Sequence, residues 1–481
     1  MPPYPSFIDN LHLTGSVILG ADRIPSGEFR EPEVYFFVSG PVAAAYPRSI
    51  EEQKDDLEKV CRTLTSYGIT GVHRMGLAQP SQDISFLLLL LELHHQDRLP
   101  IRINTSCSSV ADSHMLFDVY QGFLVRKALV RARKNELSAE ELHDCLVELL
   151  HESGNARHQA VQKILSEKKK IKKHDFIDKV HEVSEFVHRM IQSIFVNPHL
   201  KRENPYKLNQ ASRSGFPGYM IRCDTIKIFL DGVIEKDTAY RLDMNPEEGI
   251  PEFDQEKLDA LVEFADSLGM KVAAHAIGNG SVKSVLDAIS RARDKNSPLD
   301  EKRGHPVPHR IEHIEMCDGE DIRRFGEEGV VASMQPLHER PPETLWHELV
   351  PKKNWNSAFA WKQMLESNTG LVFGSDWPIV TCDVLKGIRH AVTREPWTAG
   401  GANQALSLAE AIDAYTAHPA FVEYSRNIKG HIQQDMLADI VILSDDIRKI
   451  TGEDDPEIQV LITICDGKVV FQSSSFPGSI D

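Results

Sequence analysis

Residues 270–275 read Met-Lys-Val-Ala-Ala-His, a short apolar run of the kind that forms a buried β-strand. A helical pattern over 255–268 precedes this run, and another over 281–293 follows it. A strand between two such helices is typical of a parallel sheet whose strands are joined by crossover helices. This unit therefore predicts an α/β fold.

The same alternation recurs along the chain. Strand-like runs are expected at 69–72, 99–104, 225–230, 270–274, 310–312, 330–334 and 371–373. Helical patterns at 51–66, 319–328 and 407–416 lie before, between and after them. About seven such units predict a (β/α)8 TIM-like barrel, distorted or incomplete, with a doubly wound sheet as the competing topology. The glycine signature of a dinucleotide site is missing, which weakens that alternative.

Two regions depart from the alternation. One is an insertion within a predicted barrel over 1–430, and the other is a small β module over 431–481. Within the barrel, a proline-free stretch predicts a helical insertion at about 113–205, where Ser138 and Glu141 have capping-box spacing. An apolar stripe over 176–194 favours packing over the barrel, with a lid or a dimer face as alternatives. The lysine-rich run 168–173 is interpreted as a solvated helix face, with a site for an anionic partner as the alternative.

The end of the chain has the pattern of antiparallel strands. Apolar runs at 438–443, 459–464 and 468–472 predict strands, and Asp466-Gly467 between the last two is a hairpin signal. We expect this segment to be a small β-sandwich remnant.

Bulk properties exclude several classes of protein. The chain has 481 residues and a net charge of −17, which argues against nucleic acid as a partner. Its 7 cysteines form no Cys-x-x-Cys pair, which favours a reducing compartment over a disulfide framework. We see no secretory signal, and the most apolar run, 86–91, is too short to span a membrane and predicts a buried helix. These properties predict a cytoplasmic protein without a nucleic-acid or membrane partner. They say little about a small-molecule substrate, which is the partner we expect.

Four polar residues occur within or at the end of the predicted strands: Lys227, His275, His313 and Asp376. Carboxyl ends of barrel strands converge on one cavity, so these side chains are expected to meet there. Imidazole and carboxylate groups suit Zn²⁺, whereas a lysine would have to be neutral or carboxylated to a carbamate. Each residue also has an ordinary interpretation: buried histidines, a helix-capping Asp376, and Lys227 paired with Asp231.

At these residues the sequence resembles the amidohydrolase superfamily, and within it the YtcJ-like, N-substituted formamide deformylase-like branch (amidohydrolase family 3). The matching stretches are 68–73, 227–232, 275–279, 309–313, 332–336, 374–378 and 438–443. The resemblance implies a distorted barrel with a small β-sandwich, and hydrolysis of an amide, formamide or cyclic C–N bond by water activated on a metal.

The resemblance also implies roles for individual residues. Lys227, His275 and His313 would hold one metal ion, with Lys227 carboxylated as one form of that site. Asp376 would be the catalytic proton shuttle, and a further metal ligand where a second ion is present. His338 lies where such enzymes contact substrate or product.

The chain departs from the family pattern at the first barrel strand, where such enzymes carry a His-x-His pair that occurs nowhere in this sequence. Arg74 and Asn279 also stand where the family commonly has acidic residues. Without the pair, we expect one divalent ion, zinc being the predicted identity, with no bound metal as the alternative. A hydrolase is the leading interpretation. The alternative is a catalytically inactive or repurposed barrel for binding or assembly, with the insertion as a surface for homo-oligomers.

Overall fold

The computed structural model describes residues 16–19, 25–30, 45–76, 80–109, 115–134, 136–138, 140–147, 149–150, 220–243, 253–339, 345–450, 452 and 457–478. The predicted apolar stripe over 176–194 and the lysine-rich run 168–173 lie outside these residues. Two strands near the beginning of the chain, β1 (Ser16–Leu19) and β2 (Pro25–Arg30), form an antiparallel pair.

Seven further strands form one parallel sheet whose spatial order follows the order of the sequence. They are β3 (Gly71–Arg74), β4 (Arg102–Ser108), β5 (Ile221–Phe229), β6 (Lys271–Ala276), β7 (Arg310–His313), β8 (Val331–Met334) and β9 (Gly370–Phe373). Each overlaps one of the seven predicted runs. Every residue of β4, β6, β7 and β8 is buried, as expected for strands covered on both faces.

Helices connect and cover these strands. Their bounds are α1 (Ile50–Ser66), α2 (Pro80–His95), α3 (Met115–Arg133), α4 (Gln255–Ser267), α5 (Asn279–Arg303), α6 (Gly319–Glu327), α7 (Leu345–Leu349), α8 (Trp361–Glu366), α9 (Val384–Thr393), α10 (Leu408–Tyr415) and α11 (Ala417–Val422). The apolar run 86–91 lies in α2, which confirms the predicted buried helix. Among the described residues, no helix is both long and apolar enough to cross a bilayer.

The sheet is strongly curled. A guanidinium nitrogen of Arg310 on β7 donates a hydrogen bond to Nδ1 of His73 on β3, at 2.8 Å. These strands are the first and fifth of the sheet, and in a flat sheet they would lie about 19 Å apart, at about 4.8 Å per strand. The side chains can meet only across the interior of a barrel.

The barrel is incomplete within the described residues. There β3 pairs only with β4, and β9 pairs only with β8, so the seven-stranded sheet keeps two edges. The predicted distorted or incomplete TIM-like barrel is confirmed in this open form.

The described part of the predicted insertion is helical. Ser138 and Glu141 form the predicted capping box, in which Ser138 N donates to the Glu141 carboxylate at 2.7 Å and Glu141 N donates to Ser138 Oγ at 3.1 Å. α3 packs against β4, β5 and α4, as a crossover helix of the barrel does. The limits of the insertion, 113–205, stay a prediction.

The end of the chain forms the predicted antiparallel sheet, with β10 (Ile440–Leu443), β11 (Val460–Cys465) and β12 (Lys468–Gln472) in that order. Asp466 (φ 53°) and Gly467 (φ 78°) are both left-handed, as a two-residue hairpin turn requires. Thr463 Oγ1 donates to Thr65 O at 2.7 Å and so attaches the sheet to α1. The division at residues 430 and 431 stays a prediction.

Candidate metal centre

The candidate site begins with two histidines on neighbouring strands. His275 is the fifth residue of β6 and His313 is the last residue of β7, and the register pairs Ala276 with His313. The centroids of the two imidazole rings lie 4.5 Å apart. The expected convergence at the carboxyl ends of the strands is therefore present for this pair.

A third histidine follows β8. The sequence Gln335-Pro336-Leu337-His338 leaves the strand and turns into a short 3-10 helix over Pro336–His338. This turn buries His338 and places its ring parallel to the ring of His313, with 5.8 Å between centroids and 5° between planes. His338 was predicted to contact the substrate; the structure places it beside a predicted metal ligand.

Asp376 completes the group from the loop after β9. Its carboxylate Oδ2 lies 4.0 Å from Nε2 of His338, and its side chain is 40% exposed. Asp376 (φ 54°), His313 (φ 77°) and Ile314 (φ 54°) all adopt the left-handed conformation. For a non-glycine residue this conformation costs about 1–3 kcal/mol, and such strain concentrates at functional sites.

The ligand atoms of His313, His338 and Asp376 all lie within 4.8 Å of one another. Two imidazole nitrogens and a carboxylate oxygen are donors that Zn²⁺ accepts, and three protein ligands leave one position open. Ligands at about 2.1 Å from a tetrahedral ion are separated by about 3.4 Å, so binding would draw these atoms together by roughly 1 Å. The donors therefore fit a single divalent ion. We name this set the rim triad.

Gln335 orients His313 within the triad. Its side-chain oxygen accepts a hydrogen bond from His313 Nδ1 at 2.9 Å, which leaves the Nε2 lone pair available for a metal. Gln335 is buried, and the sequence analysis assigned it no role although it lies in the matching stretch 332–336. Its position directly after a strand was the available signal.

His275 and Lys227 face other partners. The Nε2 atom of His275 lies 3.1 Å from Gly232 O, to which it donates, and 3.6 Å from a carboxylate oxygen of Asp231. Nζ of Lys227 lies over the Phe229 ring, 4.3 Å from its centroid. The structure thus brings His313 and Asp376 together with His338, while the ligand set of Lys227, His275 and His313 stays a prediction.

Burial governs the protonation of these groups. It lowers the pKa of His275 to about 3 and that of His313 well below its ordinary value, and the neighbouring Lys227 charge adds to both shifts. Both imidazoles are therefore neutral near pH 7, the form that binds metal. Burial also lowers the pKa of Lys227 to about 8, opposed by the charges of Glu312 and Asp376.

The pKa values of two nearby carboxyl groups shift upward. Burial raises the pKa of Asp376 to about 6, and the Lys227 charge opposes this rise. Burial raises the pKa of Asp231 to about 7, although the backbone N–H groups of Gly278, Ile277 and Tyr240 donate to it. Asp231 anchors the loop after β6, a role that sequence reasoning missed.

The sequence of the chain matches a known protein family. A model described as the amidohydrolase family matches residues 38–471. This chain belongs to the amidohydrolase family. The predicted membership of amidohydrolase family 3 is confirmed by this match and by individual relatives.

The curated relatives match part of this chain. YtcJ of Bacillus subtilis (strain 168) is 30% identical over 268 residues, 53% of this chain and 49% of YtcJ. Protein LONG AFTER FAR-RED 3 of Arabidopsis thaliana is 30% identical over 258 residues, 51% of this chain and 42% of that protein. N-substituted formamide deformylase of Arthrobacter pascens is 24% identical over 264 residues, 53% of this chain and 46% of that enzyme. The matched region thus covers about half of each relative.

Solved structures agree with the fold. An uncharacterized metal-dependent hydrolase from Pyrococcus horikoshii superposes with a TM-score of 0.53 at 18% identity, covering 87% of this chain and 65% of that one. A similar protein from Pyrococcus furiosus gives a TM-score of 0.51 at 19% identity, covering 85% and 62%. At this identity the likeness is one of fold.

Proposed function

We propose that this amidohydrolase is a metal-dependent hydrolase of a small amide, formamide or cyclic C–N substrate, with one divalent ion, zinc, on the rim triad. The mutual approach of His313, His338 and Asp376 to within 4.8 Å carries the proposal. Family membership supports a hydrolase, and the name of the Arthrobacter relative points to N-substituted formamides as the first substrates to test.

All three residues of the triad would hold the ion, and Asp376 has a catalytic role in addition. A bound divalent ion would lower the pKa of a water molecule and polarise the scissile carbonyl group. Asp376 is ionised at neutral pH because its pKa is about 6, so its carboxylate takes a proton from the attacking water. The same carboxylate then returns the proton to the leaving nitrogen. His313, whose pKa burial lowers well below its ordinary value, stays a neutral ligand, and His338 supplies the second imidazole.

Lys227 acts as a positively charged ammonium group in this proposal, and not as a carbamate. Its pKa of about 8 leaves a fraction of the buried amine neutral, as carboxylation by CO₂ requires. However, the carboxylates of Glu312 and Asp376 favour a positive charge at Lys227, and they would repel the negative charge of a carbamate. Lys227 and His275 therefore shape the electrostatics beside the triad.

Metal analysis of purified, unstripped protein tests the proposal. We expect about one equivalent of divalent ion, bound in the wild type and lost in His338→Ala, while His275→Ala retains it. His305→Ala, a change at an exposed histidine near the opposite end of the barrel, is the matched control. Hydrolysis of N-substituted formamides is then measured on the same preparations.

The outcomes separate the competing ligand sets. Loss of metal in Lys227→Met and His275→Ala, with retention in His338→Ala, would select the set implied by the family resemblance and overturn the rim triad. No bound ion in the wild type would refute the metal-dependent hydrolase. The interpretation as a barrel for binding or assembly would then take its place.

A further inference from the structure

Glu339 directly follows His338 of the rim triad, and both residues are buried. His338 N donates to Gln335 O at 3.0 Å and Glu339 N donates to Pro336 O at 3.2 Å, so the two residues belong to the same turn after β8. A buried carboxylate is stable only when it has charged or hydrogen-bonding partners. The partners of Glu339 therefore indicate what holds this turn in place.

Three donors converge on the Glu339 carboxylate. The Nε2 atom of His390 donates to Oε2 at 2.7 Å, and the indole Nε1 of Trp397 donates to Oε1. Arg394 Nε lies 3.5 Å from Oε1 and forms an ion pair with it. His390 lies in α9, which packs against the 3-10 helix of His338, and the other two donors lie just after α9. The carboxylate thus ties the turn of His338 to one neighbouring segment.

The donors are themselves held by the surrounding structure. Arg394 is buried, and it donates to Phe359 O at 2.6 Å and to Ala358 O at 3.2 Å. The Trp397 ring packs edge-on against the ring of Trp346, with 5.2 Å between centroids. A donor whose rotamer is locked by its own partners can position the group that accepts from it. These donors therefore hold the carboxylate in one place, together with the backbone of its turn.

Stability alone is a poor reason for such a network. Burial lowers the pKa of Arg394 to about 10, opposed by the charge of Glu339, so Arg394 is charged at neutral pH. Removing two charges from water offsets most of their attraction, and well-packed apolar residues of similar volume are often as stabilising. A buried ion pair does, however, favour the one conformation in which both charges are paired. Here that conformation is the one that sets His338 beside His313, with parallel rings 5.8 Å apart.

We infer that Glu339 is a positioning residue that holds the imidazole of His338 beside His313, ready to bind the ion. The inference rests on the proposed function, in which His338 is a metal ligand. Groups that orient a metal ligand without touching the metal commonly change its affinity about 10- to 100-fold. Glu339 acts in this way through the backbone of the turn, whereas Gln335 orients His313 by a direct hydrogen bond.

Crystal structures of the full-length wild type and of Glu339→Ala, both treated with a chelator, test the positioning without the ion. We expect the His338 ring of the variant to move by about 1 Å or more relative to His313, because its turn loses three partners. Trp397→Phe keeps an aromatic ring and removes a single N–H donor, so a smaller movement is expected. A His338 ring that stays in place in both variants would overturn the inference.

Zinc affinity, measured by competition with a chelator, tests the consequence. Glu339→Ala should weaken zinc binding about tenfold or more, and Glu339→Gln, which keeps an acceptor oxygen and the volume, should recover part of the loss. Asp439→Ala is the matched control, because Asp439 pairs with the buried Arg102 beside the C-terminal sheet. It should lower the melting temperature and leave the zinc affinity unchanged. Equal loss of affinity in Asp439→Ala would attribute the effect to general destabilisation and refute the positioning role of Glu339.

The outcomes also separate this inference from the proposed function. If the wild type binds no zinc but the His338 ring moves in Glu339→Ala, the metal-dependent hydrolase fails and the positioning by Glu339 stands. If the wild type binds zinc and Glu339→Ala changes neither the ring position nor the affinity, the positioning fails and the metal centre stands.

Discussion

His309 directly precedes β7 and His313 ends it, and the two histidines have opposite surroundings. Both nitrogens of His309 are engaged: Nδ1 accepts from Val272 N at 3.0 Å and Nε2 lies 3.0 Å from a carboxylate oxygen of Asp266. His313 donates through Nδ1 to Gln335, while His338 and Asp376 surround the rest of its ring. His309 has an ordinary backbone, whereas His313 is left-handed at φ 77°.

The contrast shows that the two ends of one strand can carry histidines with different roles, one in stability and one in ligand binding. A buried histidine with both nitrogens bonded stabilises the barrel, because removing it leaves its partners unpaired. A buried histidine held by one hydrogen bond, in a strained backbone, is positioned for a ligand. Four predictions test this contrast, in order of decreasing expected effect.

The largest effect is expected at the rim. Asp376→Asn should lower kcat about 10³-fold, because the amide cannot accept the proton from water. Its melting temperature should remain close to that of the wild type. Steady-state kinetics with Asp445→Asn, at an exposed aspartate, as control checks the prediction. An active Asp376→Asn enzyme would remove Asp376 from the chemistry.

The next effect separates the two histidines by stability. His309→Ala should destabilise the protein by about 3 kcal/mol, since it leaves the buried Asp266 carboxylate and Val272 N without this partner. His313→Ala should cost clearly less, because it breaks one side-chain hydrogen bond, to Gln335, whereas His309→Ala breaks two. Urea denaturation of the metal-free proteins measures both. Equal destabilisation by the two changes would break the contrast.

A smaller effect is expected from the residue that orients His313. Gln335→Ala should weaken metal affinity about tenfold or more, because the imidazole loses the acceptor that fixes its tautomer and orientation. Gln335→Glu retains an acceptor at the same place and should recover much of the affinity. Competition with a chelator measures both variants, and an unchanged affinity in Gln335→Ala would show that His313 needs no such support.

The smallest effect concerns pH. The pKa of Asp376 is about 6, so kcat/KM should fall as the pH decreases through about 6 and the carboxylate becomes protonated. A bound cation moves this acid limb of the pH profile to lower pH. The Lys227 charge lowers the pKa of Asp376, so Lys227→Met should move the limb to higher pH. Rates from pH 5 to 8, with Lys386→Met as control, measure the shift. A limb that moves downward would contradict the assigned electrostatics.

Local patterns predicted most of the architecture. All seven parallel strands, the Ser138 capping box and the Asp466-Gly467 turn were expected from residues close together in sequence, and all are confirmed. Each depends on side-chain periodicity or on a short-range hydrogen bond, which neighbouring residues determine.

The grouping of the site could be predicted only in part. The ends of the predicted strands placed His275, His313 and Asp376 at one rim. The ring beside His313, however, is that of His338, and its position depends on the short 3-10 helix after β8. That turn depends on packing between loops, which cannot be predicted from the hydrophobic periodicity of the sequence.

The sequence by itself therefore determined the α/β class, the order of the strands and the residues from which a metal site could be built. Only the tertiary structure decided which of these residues meet and that the seven-stranded sheet stays open within the described residues. The physical reason is distance along the chain. Hydrogen bonding and burial act on near neighbours, whereas the distances between side chains on different loops depend on how the whole sheet curls.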